Sequence, residues 1–172
     1  PTFSPEKAEK LDVFVHSPFA TKTDKRGKED RNRDSIFVQI KFAETRPVSA
    51  LLGADVPHDV ISDVVQKTKE KGNEDRLDWD ILLAFHHCSY LSLSDEKGTE
   101  LTDPEPDVKW LLEKRRRYRP RVISHSWEVP AKNGAGDNDD NPPYRQAANY
   151  YRNVANAKDG EFRVTMENRR NG

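Results

Sequence analysis

The sequence predicts an α+β fold: a mainly antiparallel sheet with helices packed on one face, a single pair of layers. Three observations carry this expectation. Stretches with period-two apolar alternation recur along the chain, and stretches with helical spacing lie among them. The two kinds do not follow one another in regular strand–helix–strand units. The chain has 172 residues, enough for one globular domain (residues 1–172), with charged loops expected at about 21–34 and 131–142.

The elements follow in order. Ser4, Pro5 and Glu6 open a short helix reaching about Lys10. Leu11, Val13 and Val15 alternate as a strand does, and the densely charged Thr21 to Asp34 is a mobile loop. In the strand Ser35 to Ala43, Ile36, Val38, Ile40 and Phe42 share one face; Gln39 and Lys41 share the other, where Phe37 implies partial cover. The two strands can pair as a hairpin across the charged loop. Pro47 to Gly53 is a short helix or turn. Pro57 to Lys71 is a helix, with Asp55 as a candidate cap, Val60, Ile61, Val64 and Val65 as its apolar stripe and Gly72 at its C-cap.

Residues 77–88 fit strand or helix, and Ser89 to Leu93 is read as a strand. A helix opens at Asp103-Pro104, buries Val108, Leu111 and Leu112, and ends in Lys114 to Arg117, where cations suit the helix dipole. Val122 to Val129 is a strand with Ile123, His125, Trp127 and Val129 on one face. Asn141 caps a helix whose spacing points Tyr144, Ala147, Ala148, Tyr151, Val154 and Ala155 inward and Arg145, Asn149 and Arg152 toward water. A last strand carries Phe162, Val164 and Met166.

Composition narrows the function. Apolar and charged residues each make up 34% of the chain, net charge is −1 and the pI is near 6.6. Attraction to polyanions must therefore be local. A single cysteine, Cys88, excludes an intrachain disulfide and any multi-cysteine metal site. No apolar stretch has transmembrane length, the first residues carry no signal core, and no Asn-x-Ser/Thr acceptor exists. The expectation is a soluble intracellular protein, cytoplasmic or nuclear, with no membrane partner, no metal and no cofactor. The common nucleotide-binding, zincin, serine-hydrolase and EF-hand motifs are absent.

The densest chemical signal is Lys114, Arg115, Arg116, Arg117, Tyr118, Arg119, Pro120 and Arg121. Six of these eight residues are basic, and cations interleaved with an aromatic neutralise phosphates and stack on rings. Arg169 and Arg170 could extend the patch. The plainer explanation is a solvated helix end paired with nearby acids such as Asp107, Glu113 and Asp137 to Asp140. Tyr118, Trp110, Trp127, Tyr144, Tyr150 and Tyr151 fall in the same half of the chain, a composition typical of interface hot spots. The first expectation is thus a binding module presenting Lys114–Arg121 to a protein partner or a phosphate-bearing ligand such as nucleic acid.

A second signal is His86-His87-Cys88 together with His125. One of the paired histidines, His125 and a carboxylate such as Asp78 or Asp80 would make an acid–base cleft of a small enzyme. Against it, Cys88 is simply a small buried hydrophobe and His125 a satisfied core histidine. Pro1 as a catalytic amine and Asp137-Asn138-Asp139-Asp140 as a cation loop are weaker: the first lacks a supporting strand, the second the spacing of a calcium loop. Whether His125 lines a pocket or the core discriminates between binding module and enzyme.

Overall fold

The computed structural model describes residues 11–18, 31–43 and 45–167. Six strands form one sheet in chain order: β1 (Leu11–Ser17), β2 (Phe37–Phe42), β3 (Val48–Gly53), β4 (Trp79–Leu83), β5 (Arg116–Ser124) and β6 (Glu161–Val164). Three α-helices lie between the later strands: α1 (His58–Glu70), α2 (Pro106–Lys114) and α3 (Arg145–Asn156). The expected helix at Ser4 to Lys10, Pro1, and Arg169 and Arg170 lie outside the described residues, as does most of the charged loop before β2.

The fold is α+β with helices on one face, but the sheet is mixed rather than mainly antiparallel. β1–β2 and β2–β3 pair antiparallel; β3–β4, β4–β5 and β5–β6 pair parallel. The cause is β3. Val48-Ser-Ala-Leu-Leu-Gly is rich in helix formers and bounded by Pro47 and Gly53, so it reads as a turn; as a strand it starts a β3–α1–β4–α2–β5–α3–β6 run. Each helical crossover returns the chain parallel to its predecessor. The β1–β2 hairpin across the charged loop is as expected.

The crossovers all step the same way across the sheet. Right-handed connections that never reverse direction place every helix on the same side. Accordingly Phe37, Leu51, Leu82 and Val122 from one sheet face share a core with Val60, Ile61, Val64 and Val65 of α1, Val108, Leu111 and Leu112 of α2, and Ala147, Ala148, Tyr151 and Val154 of α3. The three helices thus bury the stripes their spacing indicates. Gly72 takes φ +65° after α1, where a left-handed C-cap belongs. No helix among the described residues is long and apolar enough to cross a membrane.

Other local expectations are corrected. On β2, Phe37 and Gln39 face the helices and are buried, while Val38, Ile40 and Phe42 lie on the open side. Residues 85–92 form 3-10 turns, not the strand expected at Ser89 to Leu93. α2 stops at Lys114, and Arg116 onward is β5, because pairing with β4 captures the basic run. His125 and Trp127 consequently lie beyond the strand. Arg145, expected in water, is nearly buried: its guanidinium meets Asp137 and Glu100, both at 3.0 Å, and donates to the Thr99 carbonyl. Asp137 is therefore a buried clamp, not part of a solvated acidic loop; the Asn133 amide and Arg145 hold its carboxyl below the usual range.

Candidate functional site

Four parallel strands, β3 to β6, end on the same edge of the sheet, so the loops that follow them gather there. Asp55 follows β3, His87 follows β4, His125, Ser126 and Trp127 follow β5, and Thr165 and Met166 follow β6. Asn141 and Pro142, in the loop before α3, complete a cavity of about 490 Å³ lined by His87, His125, Ser126, Trp127, Asn141, Pro142, Thr165 and Met166. His125 lines this cavity rather than the core.

The turn after β4 builds the site. His86, His87 and Cys88 take φ values of 47°, 54° and 70°, three successive non-glycine residues in the left-handed region. Each such residue costs of order 1–3 kcal/mol and persists only where its surroundings over-determine it. Here Phe85 is fully buried against Phe37, the His86 amide donates to Ala54 O, the Cys88 amide to Phe85 O, and the Tyr144 amide to Cys88 O. Cys88 is wholly enclosed, and burial pushes its thiol up to about 12, so it is packing material, as expected.

The turn aims His87 at the pocket. Its Nδ1 lies 3.0 Å from the His125 carbonyl, which only accepts, so Nδ1 carries the hydrogen. Nε2 then faces Asp55, 3.5 Å away. The His87 and His125 rings are 4.3 Å apart. Burial, and then the proximity of His87, hold His125 below the usual imidazole range, with Asp55 pulling the other way. His125 Nδ1 is buried and finds no hydrogen-bond partner among the described residues. Trp127 stands at the rim, 72% exposed. Ser126 Oγ is shared with Ser124 Oγ and the Trp127 carbonyl. No group of three metal-ligating side chains occurs among the described residues.

Of the histidine constellation expected from sequence, the structure brings together His87 and His125. His86 is not among the side chains lining the cavity. The expected carboxylates are elsewhere: Asp78 and Asp80 are at the amino end of β4, across the sheet from His87. Asp55 takes their place, freed because α1 begins at His58 without a side-chain cap. Its signal was present as Gly53-Ala-Asp closing an apolar segment, legible only once that segment is known to be a strand parallel to β4.

The basic run is distributed differently. Arg115 pairs with Glu74 and Asp78; Arg117 pairs with Asp78 and Asp80; Arg121 pairs with Glu161. Arg116 donates to the Leu112 and Glu113 carbonyls. Between Trp79↔Arg116 and Ile81↔Arg121 the β5 strand bulges outward, which puts Arg119 at φ 57° and leaves Tyr118 58% exposed. Lys114 and Arg119 are exposed.

Comparison with known protein families, with curated proteins and with solved structures finds no match to this chain.

Proposed function

We propose that the cavity at the carboxyl ends of β3–β6 is the site of a small acid–base enzyme whose best-supported reaction is hydrolysis. One observation carries the reading: His87, which lines the cavity from a strained left-handed turn, is hydrogen-bonded through Nδ1 to the His125 carbonyl and faces Asp55 through Nε2. Neutral His87 keeps its lone pair on Nε2. It takes a proton from water as the oxygen bonds to the electrophilic carbon or phosphorus of the ester, and Asp55 stabilises the imidazolium formed. The imidazolium then returns the proton to the departing oxygen as the ester bond breaks. Asn141, Ser126 and Thr165 supply polar groups around an apolar wall of Trp127, Pro142 and Met166.

The test is turnover of a panel of p-nitrophenyl carboxylic and phosphoric esters by wild type, His87→Gln and Asp55→Asn. Loss of about a hundredfold or more in His87→Gln, the range removed with a general base, supports the proposal. Equal turnover in wild type and His87→Gln refutes it, as does a wild type that turns over none of the panel.

A second reading keeps the chain as a binding module, and the exposed Tyr118 with Arg119 and Arg121 on the β5 bulge favours it. Ion pairs confine that surface to fewer residues than the run Lys114–Arg121 contains. Heparin binding that falls with salt and is lost in Arg119→Glu supports it; no heparin binding at low salt removes the polyanion option.

A further inference from the structure

The sheet face turned away from the helices is apolar across β1 to β4. Register sets Val15, Val38, Leu52, Leu83 and Ile123 in one row and Val13, Ile40, Ala50 and Ile81 in the next, with Leu11, Phe42 and Val48 beyond. Val13 and Val15 are 52% and 58% exposed, and Leu11 and Phe42 are exposed as well. Ile36, on the same side just before β2, is 58% exposed. On β2 the usual alternation is inverted: the helix side receives Gln39, while the open side receives Val38, Ile40 and Phe42. Such a pattern belongs to a face that is itself a core surface.

Among the described residues, the three α-helices all pack on the other face.

We infer that this face is an isologous dimer interface, on which a second copy of the chain packs sheet against sheet. Three features fit that occupant. The rows on β1 to β4 carry no charge, so a copy turned onto itself meets no like-charge repulsion. Leu11, Val13, Val15, Ile36 and Phe42 of this face are each more than 40% exposed, apolar surface that association takes out of water. The charges of this face, Arg121 and Arg163 paired with Glu161, are confined to β5 and β6. A two-fold axis between the sheets, along β2 and β3, superposes the apolar rows about 10 Å apart and leaves those charges outside.

The experiment is sedimentation equilibrium of the full 172-residue chain over a micromolar concentration series, for wild type, Val13→Glu/Val15→Glu and Ile36→Glu, with circular dichroism to monitor the fold. Wild type is a dimer, and either variant raises its dissociation constant roughly tenfold or more while keeping the wild-type spectrum. Should the double variant lose its fold, Ile36→Glu, outside the strands, gives the reading. A wild type that stays monomeric across the series overturns the inference, and so do folded variants that dimerise as tightly as wild type. A monomer that binds an apolar dye on this face assigns it to a different partner and counts equally against the second copy.

Discussion

The Gly53 backbone lies against the edge of the Phe85 ring: a Cβ at position 53 would overlap its Cδ1 and Cε1. Gly53 ends β3, and Phe85 anchors the left-handed turn that carries His87. Gly53→Ala must displace a fully buried ring, and overpacking of this kind costs about 1–3 kcal/mol. The expected result is a lower Tm together with a shifted His87 resonance by NMR. An unchanged His87 environment would show that Phe85 does not position the turn.

Arg145 and Asp137 form the second clamp on the site, joining α3 to the loop that brings Asn141 and Pro142 to the cavity. Asp137→Ala leaves a nearly enclosed guanidinium with only Glu100 and a carbonyl as partners. Thermal unfolding is expected several degrees below wild type, and limited proteolysis should cut first between 131 and 142. Wild-type Tm in this variant would mean that the loop is held by other contacts.

His16 makes stability depend on pH. Its ring is buried between Phe14 and Phe37 with Nε2–H donating to the Arg76 carbonyl, and burial lowers its pKa to about 4. The unfolded chain has an ordinary imidazole near 6.5. Between those values the unfolded state binds more protons, so stability falls as pH drops from about 6.5 toward 4. From pH 7 to pH 5 this single group removes about 2 kcal/mol. Urea unfolding at both pH values, in wild type and His16→Gln, measures it; an equal loss in both proteins would assign the pH dependence to other groups.

Cys88 should resist a thiol reagent such as Ellman's in the native protein at pH 8, because burial both screens the sulfur and suppresses the thiolate. One thiol per chain should react at once in urea. Rapid native labelling would show that the turn after β4 opens readily.

Much of the helical layer was legible. Val60, Ile61, Val64 and Val65, and likewise Tyr151 and Val154, announce buried stripes because a period of 3.6 has one solution. The β1–β2 hairpin was legible from alternation. β3 was not: Ser49-Ala-Leu-Leu has no alternation and good helix formers, and its strand state depends on β2 and β4 on either side. Losing one strand hid the parallel half of the sheet and with it the edge on which Asp55, His87 and His125 converge. The left-handed run at His86 to Cys88 leaves no trace in residue type, since glycine, the usual sign of that conformation, is absent there. The basic run was plain to see, but its partners Asp78, Asp80 and Glu161 are chosen by strand register, which sequence spacing does not reveal.

Because strand order repeats chain order, every strand pairs with the one synthesised just before it. As the polypeptide leaves the ribosome, each new β-segment therefore finds its template already present, and none has to wait for a later one to be inserted between two earlier neighbours. Assembly can proceed as a zipper from the amino-terminal hairpin outward. The cavity is completed last, when β6 docks on β5 and delivers Thr165 and Met166.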